Sequence, residues 1–297
     1  MGYLLELADG ESWLINASEE ATDWLDRFAS ITCLQQSENE RHRMVLVTCY
    51  GRSGITGDAL LLESITGRKL SPAGWVQGKS RNSKYYLHRE TFDIIYEIGM
   101  HDDRLEEFIS MWNLLLVIYT QVQNNDGFPL HAALIEKHGR GIVLCAKGDT
   151  GKTTCCRRVP PPWRAWCDDE TLIVRTGAHQ YAAHAFPTWS EYLTGTANKT
   201  WDVKQSIPLS AVVFLQQSET DELIPIRKAQ AVVTLNHFVT VMNYSFGGNK
   251  DRERLRQLNE TIFNNVSQLA LNVPGYILRV SLTGRFWEEL DTIEGMS

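Results

Sequence analysis

The chain has 297 residues, enough to bury a large core in one or two domains, and its 43% hydrophobic and 22% charged residues are ordinary for a soluble globular protein. A formal charge of −7 argues against nucleic acid or an anionic membrane as the main partner, and requires any polyanion to be held by a local electropositive site and a metal. No apolar run approaches the roughly 20 residues that span a bilayer, and the stretch from Met1 to Asp9 lacks the basic region and apolar core of a signal peptide.

The cysteines (33, 49, 145, 155, 156 and 167) show no regular framework, which reads as reduced thiols in a cytoplasmic protein. The adjacent pair Cys155-Cys156 has the wrong spacing for a zinc site.

Residues 1–100 read as β-rich. Tyr3 to Leu7 and Trp13 to Ile15 flank Asp9-Gly10, a hairpin signal. Met44 to Tyr50, Ala59 to Ser64, Tyr85 to His88 and Thr91 to Ile98 are further strand candidates, and Glu19 to Phe28 a short helix. His42 and His88 read as surface or packing residues, and nothing in this stretch proposes chemistry.

The spacing of Leu105, Phe108, Ile109, Trp112, Leu115, Leu116, Tyr119 and Val122 predicts a helix over 102–123, packed deep in the fold. Asp103 and Glu106 stand as a capping box at its start, and Asn124-Asn-Asp-Gly127 ends it. Phe128 to Glu136 reads as one strand, and Lys137-His-Gly-Arg140 as a hairpin turn into the next. His131 begins the strand that would pair with that next one, which puts it within reach of whatever the following loop holds.

The next stretch carries the strongest chemical signal. A short apolar run, Ile142 to Cys145, is followed by Ala146-Lys147-Gly148-Asp149-Thr150-Gly151-Lys152-Thr153-Thr154. This is the Walker A pattern, with Ala146 where the usual form has its first Gly. Small residues let backbone N–H groups turn inward as a nest for phosphate oxygens. Lys152 is placed to reach the outer phosphates, and the Thr153 hydroxyl to join the shell of Mg²⁺. Val159-Pro-Pro-Pro162 stops the following helix early. Trp163 to Val174 then reads as a strand interrupted by Asp168-Asp169-Glu170. Carboxylates at a strand end soon after a phosphate loop suit a metal and a proton acceptor. Adjacent strand residues face opposite ways, so the two Asp do different work unless the chain bends there.

Downstream, Ala211 to Leu215 reads as a buried strand, Ala229 to Val241 and Asp251 to Leu271 as helices, Tyr276 to Ser281 as a closing strand, and Gly284 to Trp287 as the start of a last short helix. No internal repeat or low-complexity segment is present.

The set His131, the loop Ala146 to Thr153 and Asp168-Asp169 resembles the HPr kinase/phosphorylase and PEP carboxykinase superfamily. The segments Leu130 to Ile135 and Pro208 to Leu215 look like the HPr-kinase-like proteins of peptide-modification gene cassettes, and length and layout are most similar to the SynChlorMet cassette family ScmC. The resemblance is specific over residues 128–175, looser to about 245, and absent over the first hundred.

It implies an α/β fold with a mixed, twisted β core carrying the P-loop, over residues 101–297, preceded by the β-rich region 1–100. It further implies that Lys152 and the loop backbone hold the β- and γ-phosphates of ATP, that Thr153 and Asp169 ligate Mg²⁺, that Asp168 accepts the proton of an attacking hydroxyl, and that His131 tunes that carboxylate or touches metal or phosphate. The expected activity is transfer of the γ-phosphate to a Ser or Thr hydroxyl of a peptide or small protein; a nucleotide-binding switch or scaffold without transfer is the alternative. The arginine that bifunctional HPr kinases use has no clear counterpart, Arg175 and Arg227 being the candidates. Relatives often form oligomers, so a homo-oligomer stays open.

Overall fold

The computed structural model describes residues 2–38, 42–49, 54–67, 69–71, 74–80, 83–99, 103–148, 150–195, 199–244 and 252–296. They fall into two compact units: residues up to 121 with 189–204, and residues 122–188 with 205–244 and 252–296.

The first unit is built on a seven-stranded sheet in the order β3-β1-β2-β4-β7-β6-β5. The strands are β1 (Gly2–Glu6), β2 (Ser12–Ala17), β3 (Gln35–Ser37), β4 (Arg43–Cys49), β5 (Trp75–Ser80), β6 (Ser83–His88) and β7 (Ile94–Ile98). The β1–β2 hairpin turns at Gly10, whose φ of 87° no other side chain tolerates well. The central strands β2, β4 and β7 run parallel, with α1 (Thr22–Thr32) and α2 (Gly54–Thr66) in the crossovers. Every residue of β7, and β4 from Met44 on, is buried, the pattern of strands covered on both faces.

One expectation changes here. Ala59 to Ser64, read as a strand, lies inside α2. Its Ala-Leu-Leu-Leu-Glu run has no β-branched residue and strong helix propensity. Leu62 is fully buried while Leu60 is 61% exposed, the one-sided burial of a surface helix. The long helix α3 (Arg104–Val122) is as expected, although Asp102 lies outside the described residues. The Asp103 carboxylate accepts the Leu105 N–H at 2.9 Å, which caps its start. Trp13 and Trp24 donate their indole N–H groups to Gln121 and Ser110 of α3, both at 2.8 Å, and so fix its buried face on the sheet.

The second unit carries a nine-stranded mixed sheet. Its first elements are β8 (Phe128–Leu130), β9 (Ala132–Lys137), β10 (Arg140–Cys145), α4 (Lys152–Arg158), β11 (Arg164–Cys167), β12 (Glu170–Arg175) and β13 (Tyr181–Phe186). The chain then supplies α5 (Trp189–Leu193) to the first unit and returns as β14 (Ser206–Gln217), β15 (Glu222–Pro225), α6 (Lys228–Tyr244), α7 (Arg252–Asn272), β16 (Gly275–Val280) and α8 (Phe286–Leu290).

The long β14 organises this sheet. Its start pairs antiparallel with β13, and its remainder runs parallel to β10 on one side and β16 on the other. On one face Ala211, Val213 and Leu215 pack with Ile142, Leu144, Cys155 of α4 and Phe286 of α8. The α4 helix is only two turns long, as the three prolines predict, and is tied down at its C-terminal end. The Arg158 guanidinium donates to the carbonyls of Ser281 and Gly284 and lies 5.2 Å from the Phe286 ring centroid. The β9–β10 hairpin turns at His138 and Gly139, both with positive φ, as a two-residue loop of this twist requires.

Candidate functional site

Phe128 to Glu136 is not one strand. It breaks at His131 into β8, which pairs with β12, and β9, which pairs with β10 and β11. The acidic segment breaks likewise: Asp168-Asp169 forms a bend between β11 and β12. The register pairs Leu130 with Thr171 and Leu134 with Cys167, so the two bends lie opposite each other. The Thr171 hydroxyl, donating to the Ala132 carbonyl at 2.9 Å, pins one to the other. Because Ala132 also pairs with Cys145, the last residue of β10, both bends meet the start of the loop.

From β10 the chain turns through the loop into α4. Thr150 N–H donates to the Lys147 carbonyl at 3.3 Å, and Cys155 N–H to the Gly151 carbonyl at 2.8 Å. Asp149, expected among the phosphate-binding residues, lies outside the described residues. Gly151 has φ of 113°, a left-handed conformation that explains why a glycine stands there. Ala146 is buried against Ile142, Leu144 and Cys155, and its φ is not positive, so the first Gly of the usual pattern has no conformational task here. Gly148 has neither a positive φ nor any atom within 4 Å of where a Cβ would stand. A glycine there leaves the backbone open on that side. Gly148→Ala is accordingly expected to shift stability by no more than about 0.5 kcal/mol while weakening triphosphate binding. Gly151→Ala is expected to cost about 1–2 kcal/mol as well as binding. Thermal unfolding with and without MgATP reads both, and an unchanged ligand shift in Gly148→Ala would mean that the loop backbone does not approach the phosphates.

Lys152, the first residue of α4, is only 7% exposed. Its Nζ donates to the Ala146 carbonyl and to His131 Nε2, both at 3.0 Å. An ammonium only donates, so Nε2 is the acceptor and the imidazole proton is assigned to Nδ1. That N–H faces Asp169 Oδ1 at 2.9 Å. Lysine, neutral histidine and carboxylate thus form one hydrogen-bonded chain. Burial pushes the Lys152 amine below its ordinary range, against the pull of Asp169, Cys145, Asp168 and Cys156.

Asp168 has a partner that the sequence reading lacked. The Thr188 hydroxyl donates to its Oδ1 at 2.7 Å from a buried position. The β12–β13 register pairs Glu170 with Phe186, and continuing it sets Thr188 opposite Asp168. Asp168 is therefore oriented by a residue just past the end of β13, and Asp169 by His131. The chain bends between β11 and β12, and both carboxylates lie close enough to Lys152 to act on its amine.

Thr153 and Thr154 stand on the exposed first turn of α4, and Lys147 and Gly148 on the exposed part of the loop. Arg175 is engaged elsewhere, with Asp126 at 2.6 Å and the carbonyls of Gly177 and Ala178, at the far end of β12 from the bend. All the cysteines are free thiols. Burial pushes Cys155 and Cys167 up to about 11 and Cys145 higher still, so these three are inert packing groups. No helix among the described residues is long and apolar enough to cross a membrane.

The architecture is α/β with mixed sheets, and over residues 94–294 the sequence matches the family described as SynChlorMet cassette protein ScmC. The chain belongs to that family. The match begins in β7, well before the part where the sequence motifs lie, and takes in nearly all of the second unit. No curated protein matches the chain.

Proposed function

We propose that this chain is an ATP-dependent kinase of the HPr kinase type, transferring the γ-phosphoryl group to a Ser or Thr hydroxyl of a peptide or small protein in a peptide-modification cassette. The observation that carries the reading is the contact chain from Lys152 through His131 to Asp169 at the mouth of a glycine-bearing loop. A structural turn has no use for a lysine drawn into a 7% exposed position beside a histidine–carboxylate pair.

The parts take these roles. The open backbone at Gly148 and Gly151 and the Lys152 ammonium bind the β- and γ-phosphates, and Lys152 neutralises charge that builds up during transfer. Asp168, held by Thr188 at Oδ1, takes the proton of the acceptor hydroxyl at Oδ2. The acceptor oxygen then forms its bond to the γ-phosphorus as the bond to the β–γ bridging oxygen breaks and ADP leaves. His131 is a positioning residue: it holds the Asp169 carboxylate on one side and Lys152 on the other.

A divalent metal fits the donor set, since the Thr153 hydroxyl and the Asp169 carboxylate are hard oxygen ligands beside the loop. Among the described residues no three His, Cys, Asp or Glu side chains converge, so most of the shell would come from phosphate oxygens and water. When bound, Mg²⁺ screens phosphate charge.

The test is calorimetric titration of MgATP into wild type and Lys152→Ala, followed by mass spectrometry of cassette peptides incubated with enzyme and MgATP. Binding that the substitution weakens by at least tenfold, with a new phosphorylated hydroxyl on the peptide, is the expected result. Binding without transfer to any peptide would favour the switch or scaffold reading instead. Absence of binding by folded wild type would overturn both.

A further inference from the structure

The phosphate loop forms one wall of a cavity of about 560 Å³, at the carboxyl ends of the parallel strands β10, β14 and β16. Lys147, Gly148 and Thr150 line it from the loop side. The opposite wall is apolar and aromatic. Along β14 alternate residues face opposite ways, so while Val213 and Leu215 join the core around α4, Phe214 faces α6 and stacks on Phe238, with centroids 6.0 Å apart and planes 20° from parallel. Ile277 of β16 adds to this wall, and Thr234 of α6 and the amide of Gln216 add polar atoms.

We propose that this cavity receives the purine base of the nucleotide, with the base lying against the Phe214–Phe238 wall. The inference rests on the phosphate-loop reading above and names the rest of the ligand that the loop would hold. Four observations support it. The cavity is continuous with the loop, so a ligand with phosphates on Gly148 extends into it. Its volume lies in the range of about 300–1,000 Å³ usual for small-ligand sites, and its place at the carboxyl ends of parallel strands is where α/β sheets bind ligands. Among the described residues no carboxylate lines it, although the chain as a whole carries a formal charge of −7. The stacked pair offers a flat face, which a planar heterocycle fills better than an aliphatic group.

The geometry also limits how the base sits. A ring between two others needs two contact distances of about 3.5 Å, roughly 7 Å in all, and the pair stands at 6.0 Å. The base therefore packs on the outside of the pair rather than between its members. A carboxamide both donates and accepts, so Gln216 suits adenine and guanine alike, and the site selects purine over pyrimidine by stacking area.

Titrations of MgATP, MgUTP and magnesium tripolyphosphate, the last lacking any base, test this in wild type, Phe238→Ala, Thr234→Trp and Lys152→Ala. Near-UV circular dichroism establishes that each variant is folded. Wild type is expected to bind ATP at least tenfold more tightly than tripolyphosphate, and more tightly than UTP. Phe238→Ala should weaken ATP by roughly tenfold to a hundredfold, the effect of removing one stacking partner, and leave tripolyphosphate unchanged. Thr234→Trp, which fills the cavity, should exclude ATP and still admit tripolyphosphate. Lys152→Ala should weaken both ligands. Equal wild-type affinity for ATP, UTP and tripolyphosphate, or unchanged ATP affinity in both Phe238→Ala and Thr234→Trp, would overturn the base site while leaving the phosphate loop standing. No loss of either ligand in Lys152→Ala, or no binding by wild type at all, would overturn the loop reading and the base site with it.

Discussion

Asp168→Asn is expected to lower phosphoryl transfer by roughly a hundredfold to ten-thousandfold, the usual contribution of a general base. MgATP affinity should hold or improve slightly, because the substitution removes a negative charge beside the phosphates and keeps the shape of the side chain. The amide still offers Oδ1 to the Thr188 hydroxyl, whose bond of 2.7 Å in the wild type should survive. What the variant lacks is the oxygen able to take a proton. Thr188→Val is the companion experiment, since it leaves the carboxylate and removes the group that orients it. A hydrogen bond to a charged group is worth about 1.5–3 kcal/mol, so kcat should fall roughly tenfold to a hundredfold with KM for ATP unchanged. Thr188→Ser, which restores the hydroxyl, should recover most of the loss. Steady-state kinetics with the acceptor peptide and MgATP decides the matter. Full activity in Asp168→Asn would remove the base assignment, and a Thr188→Val defect in KM rather than kcat would make Thr188 a packing residue only.

How much of this could be read from the sequence depended on how local each signal was. The helical spacing of Leu115, Leu116, Tyr119 and Val122, the Asp103 cap and the Asp9-Gly10 hairpin are short-range patterns, and α3, its cap and the β1–β2 turn follow them. The candidate site was legible as a residue set for the same reason, because the loop from Ala146 to Thr153 is contiguous in sequence. Its assembly was not. The breaks at His131 and at Asp168-Asp169 come from strands changing partners, and Phe128 to Glu136 is apolar on both sides of the break with no Gly to mark it. Thr188 was invisible because its link to Asp168 depends on the β12–β13 register. The α2 segment misled because Leu runs among glycines carry no period that separates helix from strand over so few residues. The parallel course of β2, β4 and β7 is likewise set by crossovers, which a count of strand-like runs does not contain.

Lys152→Met is expected to abolish triphosphate binding and yet leave the folded protein at least as stable as wild type at neutral pH. The reason is the direction in which burial has moved the amine. Its pKa in the folded protein lies below the ordinary lysine value, chiefly through burial and despite the nearby carboxylates. Between that lowered value and the ordinary one near 10.5, the unfolded chain binds more protons than the folded one. Stability contributed by this group therefore rises with pH across that window. It is fully present above the ordinary value and is lost as pH falls through the folded value. At neutral pH the wild type thus carries the cost of a buried ammonium, which Met removes while filling similar space. Urea unfolding of both proteins from neutral pH toward 10.5 should show wild type gaining on the variant as pH rises; a constant difference, or one of opposite slope, would rule out the lowered pKa. The same linkage acts on the ligand. Only the charged amine attracts phosphate, so wild-type affinity for MgATP should weaken as pH rises through the folded value, with protons taken up on binding in that range. Lys152 then accounts for two measurements of opposite sense from one property: a lysine held in a dry position destabilises the empty fold and is stabilised by an anionic ligand.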